Sequence, residues 1–262
     1  VRLVFQPGEE IGKGAKPFIR AGVLEGAERV YGLHTAYDMP AGTVGLKPGL
    51  NNASVDYFRI TVHGRSTHVS TPHLGVDALY IASQLVVALQ GLATRRVAPT
   101  EPLILGVGKL TAGTTYNALA ETAVLEGTTR TVTHETRAWI RREIEDMARE
   151  LAGFYGGTAE LYWDDFASPL INHEIACAEA AAVVDGLLGP GHVMTDRKLS
   201  LSGDNFAEYI LDTVGAYAYL GTGNPQKPWT MTPNHNGGFD IDEDALAVGA
   251  GLLAGCALAR LG

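Results

Sequence analysis

The sequence predicts an α/β protein in which a small α+β module interrupts a larger α/β domain. Three observations carry that expectation. Strand-like and helix-like runs alternate over the first fifty residues. From 54 to 163 the order becomes strand, helix, strand, strand, helix, strand, the split βαβ of ferredoxin-like modules. After about 165 the helix–strand alternation returns. The expected domains are therefore 1–52 together with 166–262, and 53–165 inserted between them. With 262 residues, 46% hydrophobic and 19% charged, the chain has the length and composition to bury a core in each.

The elements follow in order. VRLVF opens the chain as an apolar strand over 1–6, and the Gly-bounded QPGEEIGKG leads into a helix over 14–25 with apolar residues at helical spacing. Strands are expected at 29–34 and 43–47, so that strand, helix and strand make a βαβ unit in a partly parallel sheet. Functional loops then lie beyond the C-terminal ends of its strands. SVDYFRITVHG alternates apolar and polar residues as a half-exposed strand, and an amphipathic helix covers 75–95. Strands at 101–110 and 122–132, a helix at 134–153 and a strand at 158–163 complete the insert. Beyond it come a helix at 173–188, a strand at 193–196 and a helix at 204–211. A strand at 214–220, a Gly/Pro-rich loop at 221–238 and a helix at 243–261 close the chain.

Composition excludes some functions. The net charge of −9, from 20 Lys and Arg against 29 Asp and Glu, offers no basic stripe to a nucleic-acid backbone. No apolar run has the length of a membrane span, so neither nucleic acid nor membrane is an expected partner. Cys177 and Cys256 each lie in an Ala-rich helical segment and are expected as small core residues of a protein kept in a reducing, cytoplasmic setting.

Chemistry concentrates at three places. Glu9 and Glu10 are adjacent, so they project in different directions. One carboxylate can bind a metal while its neighbour serves as general base; the pair can equally be acids at a helix start, favoured by the dipole. His34 ends an apolar strand, as a ligand or as a hydrogen-bonded structural residue. His235 lies in a Pro/Asn/Gly loop just before a helix opened by Asp242, Glu243 and Asp244. Imidazole and carboxylate donors of this kind suit zinc, manganese or a similar divalent ion.

Taken in order, the segments VRLVFQPGEE, GLHTAYDMPAGTVGLKPG, FRITVHGRSTHVSTPHLGVDAL, AGTTYNALAETAVLEGTTRT, LSGDNFAEY, YLGTGNP and PNHNGGFDIDEDAL resemble the metal-dependent aminoacylases and carboxypeptidase-G-like amidohydrolases. Within them the similarity is to hippurate hydrolases and indole-acetyl-amino-acid hydrolases. The resemblance spans essentially the whole chain. It implies a metallopeptidase-like catalytic domain, a mixed sheet flanked by helices, with an inserted lid and dimerisation domain.

The same resemblance implies roles for particular residues. Glu9 is the general base, and Glu10, His34 and His235 are ligands in a two-metal site of zinc or manganese, with cobalt and nickel as alternatives. His68 is a lid histidine supplied to a partner's active site in a homodimer, where it stabilises the oxyanion. Asn117 and Arg130 hold the carboxylate of an N-acyl amino acid. The implied reaction is hydrolysis of the amide of N-acyl or aroyl amino acids. A dipeptidase or deacylase of the same fold, or a non-catalytic dimeric binding remnant, is the alternative.

Two departures stand out. The family's early HACGHD segment, which completes its binuclear site, has no match here, and the chain opens on a strand with no Met; a fragment of a longer enzyme is the expectation. The family's Glu-Asp-Phe is Asp204-Asn205-Phe206 here, which alters the charge around the metal site.

Overall fold

A computed structural model describes residues 1–261; Gly262, the last residue of the expected larger domain, lies outside the described residues. The chain forms two compact units. One comprises Val1–Asn52, Leu170–Ser200 and Asp204–Gly262; the other comprises Ala53–Pro169 with Leu201–Gly203.

The first half contains α1 (Ala15–Arg20), β1 (Val30–Pro40), β2 (Val44–Gly45), β3 (Gly49–Asn52), β4 (Val55–His63), α2 (Ala78–Gly91), β5 (Leu103–Ala112) and β6 (Thr122–Thr131). The second half contains α3 (His134–Phe154), β7 (Thr158–Ala167), β8 (Leu170–Asn172), α4 (Glu174–Leu188), β9 (Val193–Met194), β10 (Gly215–Gly223) and α5 (Asp244–Leu261).

The first unit is organised by β10. All nine of its residues are buried, as befits a central strand covered on both faces. It runs parallel to β1 and antiparallel to β2, which in turn pairs parallel with β9. Alternation along GAYAYLGTG divides the two faces. Ala216, Ala218 and Leu220 join Val44, Ala180, Val184 and Leu252 in one core, while Tyr217 and Tyr219 join Met39, Leu170 and Ala207 in another. Helix α5 packs on the sheet and on α4 through Ala245, Gly249, Leu252 and Cys256. Its mean hydropathy of 1.5 over 18 residues makes it, among the described residues, the one helix long and apolar enough to cross a membrane. Only 22% of that stretch is buried, and Leu246, Leu253, Leu258 and Leu261 are exposed. A second, two-stranded sheet pairs β3 with β8, a contact between remote segments that the sequence reading did not foresee.

Four expectations fail locally. Residues 1–6 form no strand, since no described segment offers them a ladder; Val1, Leu3 and Phe5 are 83%, 76% and 85% exposed. The helix expected over 14–25 is only Ala15–Arg20, followed by turns. That expected over 204–211 is a 3₁₀ segment, Asn205–Ile210, opened by the Asp204 side chain accepting from Phe206 N at 2.8 Å. Gly221 and Gly223 belong to β10, not to the loop expected over 221–238. A Cβ on them would lie 2.1 Å from the Pro40 carbonyl and 2.2 Å from that of Tyr37, so close backbone approach selects glycine.

The second unit is a four-stranded antiparallel sheet in the order β5-β6-β4-β7, the ferredoxin-like arrangement expected. Phe58, Ile60 and Val62 of β4 point to one face and pack with Ile81, Leu85 and Leu89 of α2 and Ile140 and Ile144 of α3. Asp77 caps α2 by accepting from Leu79 N and Tyr80 N, and Thr133 caps α3 by accepting from Thr136 N. Beneath this core Asp56 is fully buried, and both its oxygens accept from Arg137 Nε at 3.0 Å, with Nη2 donating to Oδ1 at 2.6 Å.

Two stability tests follow from these pairings. Arg137→Ala strands the buried Asp56 carboxylate and should cost about 3–5 kcal/mol in urea unfolding; a cost within error of zero would contradict the pairing. In the first unit Glu179 accepts from Arg29 Nε at 2.8 Å, Arg29 Nη2 at 2.9 Å and Tyr31 Oη at 2.6 Å. The Arg29 hydrogen bonds, then that of Tyr31, hold its carboxyl down at about 2 against an ordinary 4.5. A depressed carboxyl contributes stability above its unfolded value and loses it as pH falls towards about 2. Glu179→Gln should therefore lower Tm at neutral pH, with the gap to the parent closing across that acid window.

Candidate metal and acyl-transfer site

Glu9 and Glu10 sit on a 3₁₀ turn, Glu9–Ile11, bracketed by Gly8 at φ 70° and Gly12 at φ 65°. Both flanking positions are left-handed, which is why glycine occupies them. The turn sends the neighbouring side chains apart: Glu9 is half-buried and Glu10 exposed. Glu9 Oε1 accepts from Asn205 N at 3.3 Å. Burial, and after it the nearby Asp204, pushes the Glu9 carboxyl above its ordinary value.

A chain of polar contacts holds this arrangement. Tyr217 donates its hydroxyl to Asp204 Oδ2, and Asp204 Oδ1 fixes the start of the 3₁₀ segment. Gln6 Nε2 donates to Asn205 Oδ1 at 3.0 Å, and Tyr209 donates to Gln6 Oε1 at 2.6 Å. Asn205 Nδ2 is buried without a hydrogen-bond partner. Motif spacing does not disclose this support around Glu9; the small–aromatic alternation of Gly215–Tyr219 was the only available signal for Tyr217.

His34 lies on β1 opposite Tyr219 of β10. Its Nδ1 is 2.7 Å from the Thr35 carbonyl oxygen. That oxygen can only accept, so Nδ1 carries the proton and Nε2 presents a bare lone pair, the form an imidazole takes as a ligand. His235, at φ 63° the only non-glycine with positive φ among the described residues, places Nε2 3.8 Å from Glu10 Oε2. These donors are chemically suited to a divalent ion. They do not close into a site: among the described residues, no group of three or more His, Cys, Asp or Glu side chains is near enough to hold one. Of the expected ligands Glu10 and His235 approach one another, and His34 lies near enough to Glu9 for its charge to be felt there. The 3.8 Å between His235 and Glu10 is an ion-pair separation, and the imidazole and carboxylate are both 74% exposed.

The second unit holds the other candidates. His68 and Asn117 lie on facing segments, with His68 bridged to Ala118 and Val69 N donating to Asn117 O at 3.1 Å. Ser70 N donates to His68 Nδ1 at 3.2 Å, so the neutral ring carries its proton on Nε2 as an exposed donor, opposite to His34. Arg130 is near the other end of β6. At about 3.3 Å per residue it is about 26 Å along the strand from Thr122, next to the Asn117 segment. Asn117 thus lies before the start of β6 and Arg130 near its end. Arg130 Nη1 is buried without a partner.

The chain thus combines a mixed-sheet unit carrying carboxylate and imidazole donors with a ferredoxin-like module inserted in its sequence. Residues 52–156 match the peptidase dimerisation domain of the M20 family. The chain is 37% identical over 246 residues to an N-acetyl-L-cysteine deacetylase of Bacillus subtilis, covering 94% of this chain and 57% of that protein. It is 31% identical to thermostable carboxypeptidase 1 of Saccharolobus solfataricus, covering 95% of this chain and 63% of the relative. Among solved structures, an aminohydrolase described as putative, from methicillin-resistant Staphylococcus aureus, superposes with TM-score 0.90 at 29% identity over 98% of this chain and 66% of that one. A Bacillus subtilis protein described as a dinuclear metal-binding peptidase of the M20 family superposes with TM-score 0.78 at 29% identity, over 98% and 64%. The chain is similar to these proteins, and it spans 57% and 63% of the length of the two curated relatives.

The electrostatics of Glu9 are directly measurable. In the metal-free chain its carboxylate should titrate above 4.5, and Asp204→Asn should lower the midpoint by removing a neighbouring negative charge. A ¹³C-detected side-chain titration reads both values; a midpoint indifferent to Asp204 would refute the coupling.

Proposed function

We propose that the protein is a metal-dependent amidohydrolase that splits N-acyl or aroyl amino acids, the hippurate type included, into a carboxylic acid and a free amino acid. The observation that carries this reading is Glu9: a half-buried carboxylate with one oxygen accepting from Asn205 N, next in sequence to Glu10, which pairs with His235. Deacetylase and carboxypeptidase activities are attributed to the relatives, and both break an amide next to a carboxylate-bearing residue.

Glu10, His34 and His235 would hold a divalent ion, zinc or manganese by donor chemistry and one of two in a dinuclear centre. When bound, it supplies Lewis acidity to a water and to the scissile carbonyl. Glu9 Oε2 takes the proton from the attacking water and delivers it to the leaving amine. A raised carboxyl pKa suits that exchange, because a general base works best when its pKa approaches the operating pH. His68, protonated on Nε2, donates to the developing oxyanion. Arg130 pairs with the substrate carboxylate.

In this reading the chain works as a homodimer through the 53–165 module, since His68 and Arg130 lie towards opposite ends of one sheet. The unpaired outer edge of β5, which exposes Ile104 and Leu110, is a natural strand-pairing surface. A cytoplasmic location completes the reading, supported by the free, buried Cys177 and Cys256.

A second reading, a dimeric binding protein without catalysis, is favoured by the absence of a three-donor cluster among the described residues. Assays on N-acetyl and N-benzoyl amino acids with added zinc or manganese separate the two. Glu9→Gln should reduce kcat by about 10²–10⁴-fold while metal content stays unchanged. Full activity in that variant would remove Glu9 as base, and a parent chain that neither binds metal nor turns over would favour the second reading.

A further inference from the structure

We propose that a cleft between α3 and β7 of the second unit binds a small phosphomonoester. The cleft encloses about 430 Å³, and its lining includes His134, Arg137, Arg141 and Arg142 of α3 with Trp163 and Asp165 of β7. All of these residues belong to one compact unit. In a chain of net charge −9, three arginines and a histidine around one hollow make a local positive field that favours an anion.

The single acid of that lining is already engaged. Asp165 Oδ1 accepts from Trp163 Nε1 at 3.1 Å and lies 3.6 Å from Arg137 Nη2. Arg137 is committed as well: its Nε and Nη2 hold the buried Asp56, and its Nη1 donates to Ser168 Oγ at 2.7 Å. Arg141 and Arg142 differ from it. Both are exposed, and neither forms a hydrogen bond or ion pair among the described residues. Two of the acids along α3 pair elsewhere, Glu143 with Arg96 at 3.5 Å and Asp146 with Arg149 at 2.6 Å. Glu145, one turn beyond Arg141, is outside the lining. Two guanidiniums that line one cleft without a countercharge suit a phosphate, whose oxygens match their forked donors.

The remaining features select a phosphate ester over a simple carboxylate. The Arg141 guanidinium stands over the Trp163 ring, 6.0 Å from Cζ to centroid, a contact that holds it at the cleft before a ligand arrives. A phosphomonoester carries nearly two negative charges at neutral pH, so Arg141 and Arg142 can both be neutralised by one ligand. His134 lies in the first turn of the 21-residue α3, where the helix dipole also favours an anion. The volume falls within the range of small-molecule sites, and Trp163 and Ala138 give an organic group apolar surface to cover.

Calorimetric titration of the full 262-residue chain with phenyl phosphate, inorganic phosphate and benzoate tests the proposal. Phenyl phosphate should bind saturably and at least about fourfold tighter than inorganic phosphate, the gain from burying the equivalent of one methylene. Benzoate, with the same ring and a single charge, should bind at least about tenfold more weakly than phenyl phosphate. Arg141→Gln combined with Arg142→Gln, at exposed positions without ion-pair partners, should weaken phenyl phosphate at least about tenfold while Tm stays unchanged. A control that removes two charges outside the cleft, Arg95→Gln with Arg149→Gln, should alter that affinity less than about twofold, because salt screens distant charges. Absence of saturable binding, or equal affinity for phenyl phosphate and inorganic phosphate, would overturn the proposal. So would equal losses in the two double variants, which would mark a diffuse attraction with no site.

Discussion

The parallel ladder between β1 and β10 is the constraint on which the first unit depends. Because β10 is buried along its whole length, each of its side chains must be packed or hydrogen-bonded, and the tyrosines do both. Tyr217 donates to Asp204, and its backbone N–H and carbonyl bond the Asn172 side chain at 2.8 and 2.9 Å. Tyr219 donates to Asn52 at 2.7 Å and lies under the Arg197 guanidinium, 3.9 Å from ring centroid to Cζ. The ladder's register sets His34 beside Tyr219, and the Tyr217–Asp204 contact fixes the turn that holds Glu9. Polar groups buried this deeply stabilise a fold only when satisfied, so the candidate base and the strand core form one packing problem.

Two histidines show how backbone context assigns chemistry to identical side chains. His34 has a carbonyl oxygen at Nδ1 and therefore offers a lone pair at Nε2. His68 has an amide N–H at Nδ1 and therefore offers a proton at Nε2. One form suits a cation and the other a developing oxyanion. The assignment follows from whether the neighbour can donate or only accept, which no histidine codon carries.

Much of this organisation was legible from residues alone. Alternation along β4 revealed a half-buried strand because one face packs on α2 and α3, and the βαββαβ order of the insert followed from local periodicity. Glu9, Glu10, His34 and His235 were legible as candidates because they stand at element ends. The failures share a cause. The strand expected at 1–6 was legible as an apolar run, yet a strand exists only with a hydrogen-bonded neighbour. Gly221 and Gly223 read as the start of a Gly/Pro-rich loop, and their requirement comes instead from carbonyls of Pro40 and Tyr37 about 180 residues earlier, pressed against them.

The sequence by itself determined the fold class, the interruption of one domain by another and the residue types available for metal and acid–base chemistry. Those depend on local periodicity and composition, which are written residue by residue. The tertiary structure alone decided which candidates meet: Glu10 with His235, and Glu9 with Asn205. It also set Arg130 about 26 Å along β6 from the Asn117 end. Such partnerships depend on register and on contacts between segments far apart in the chain, quantities that exist only once the strands have paired.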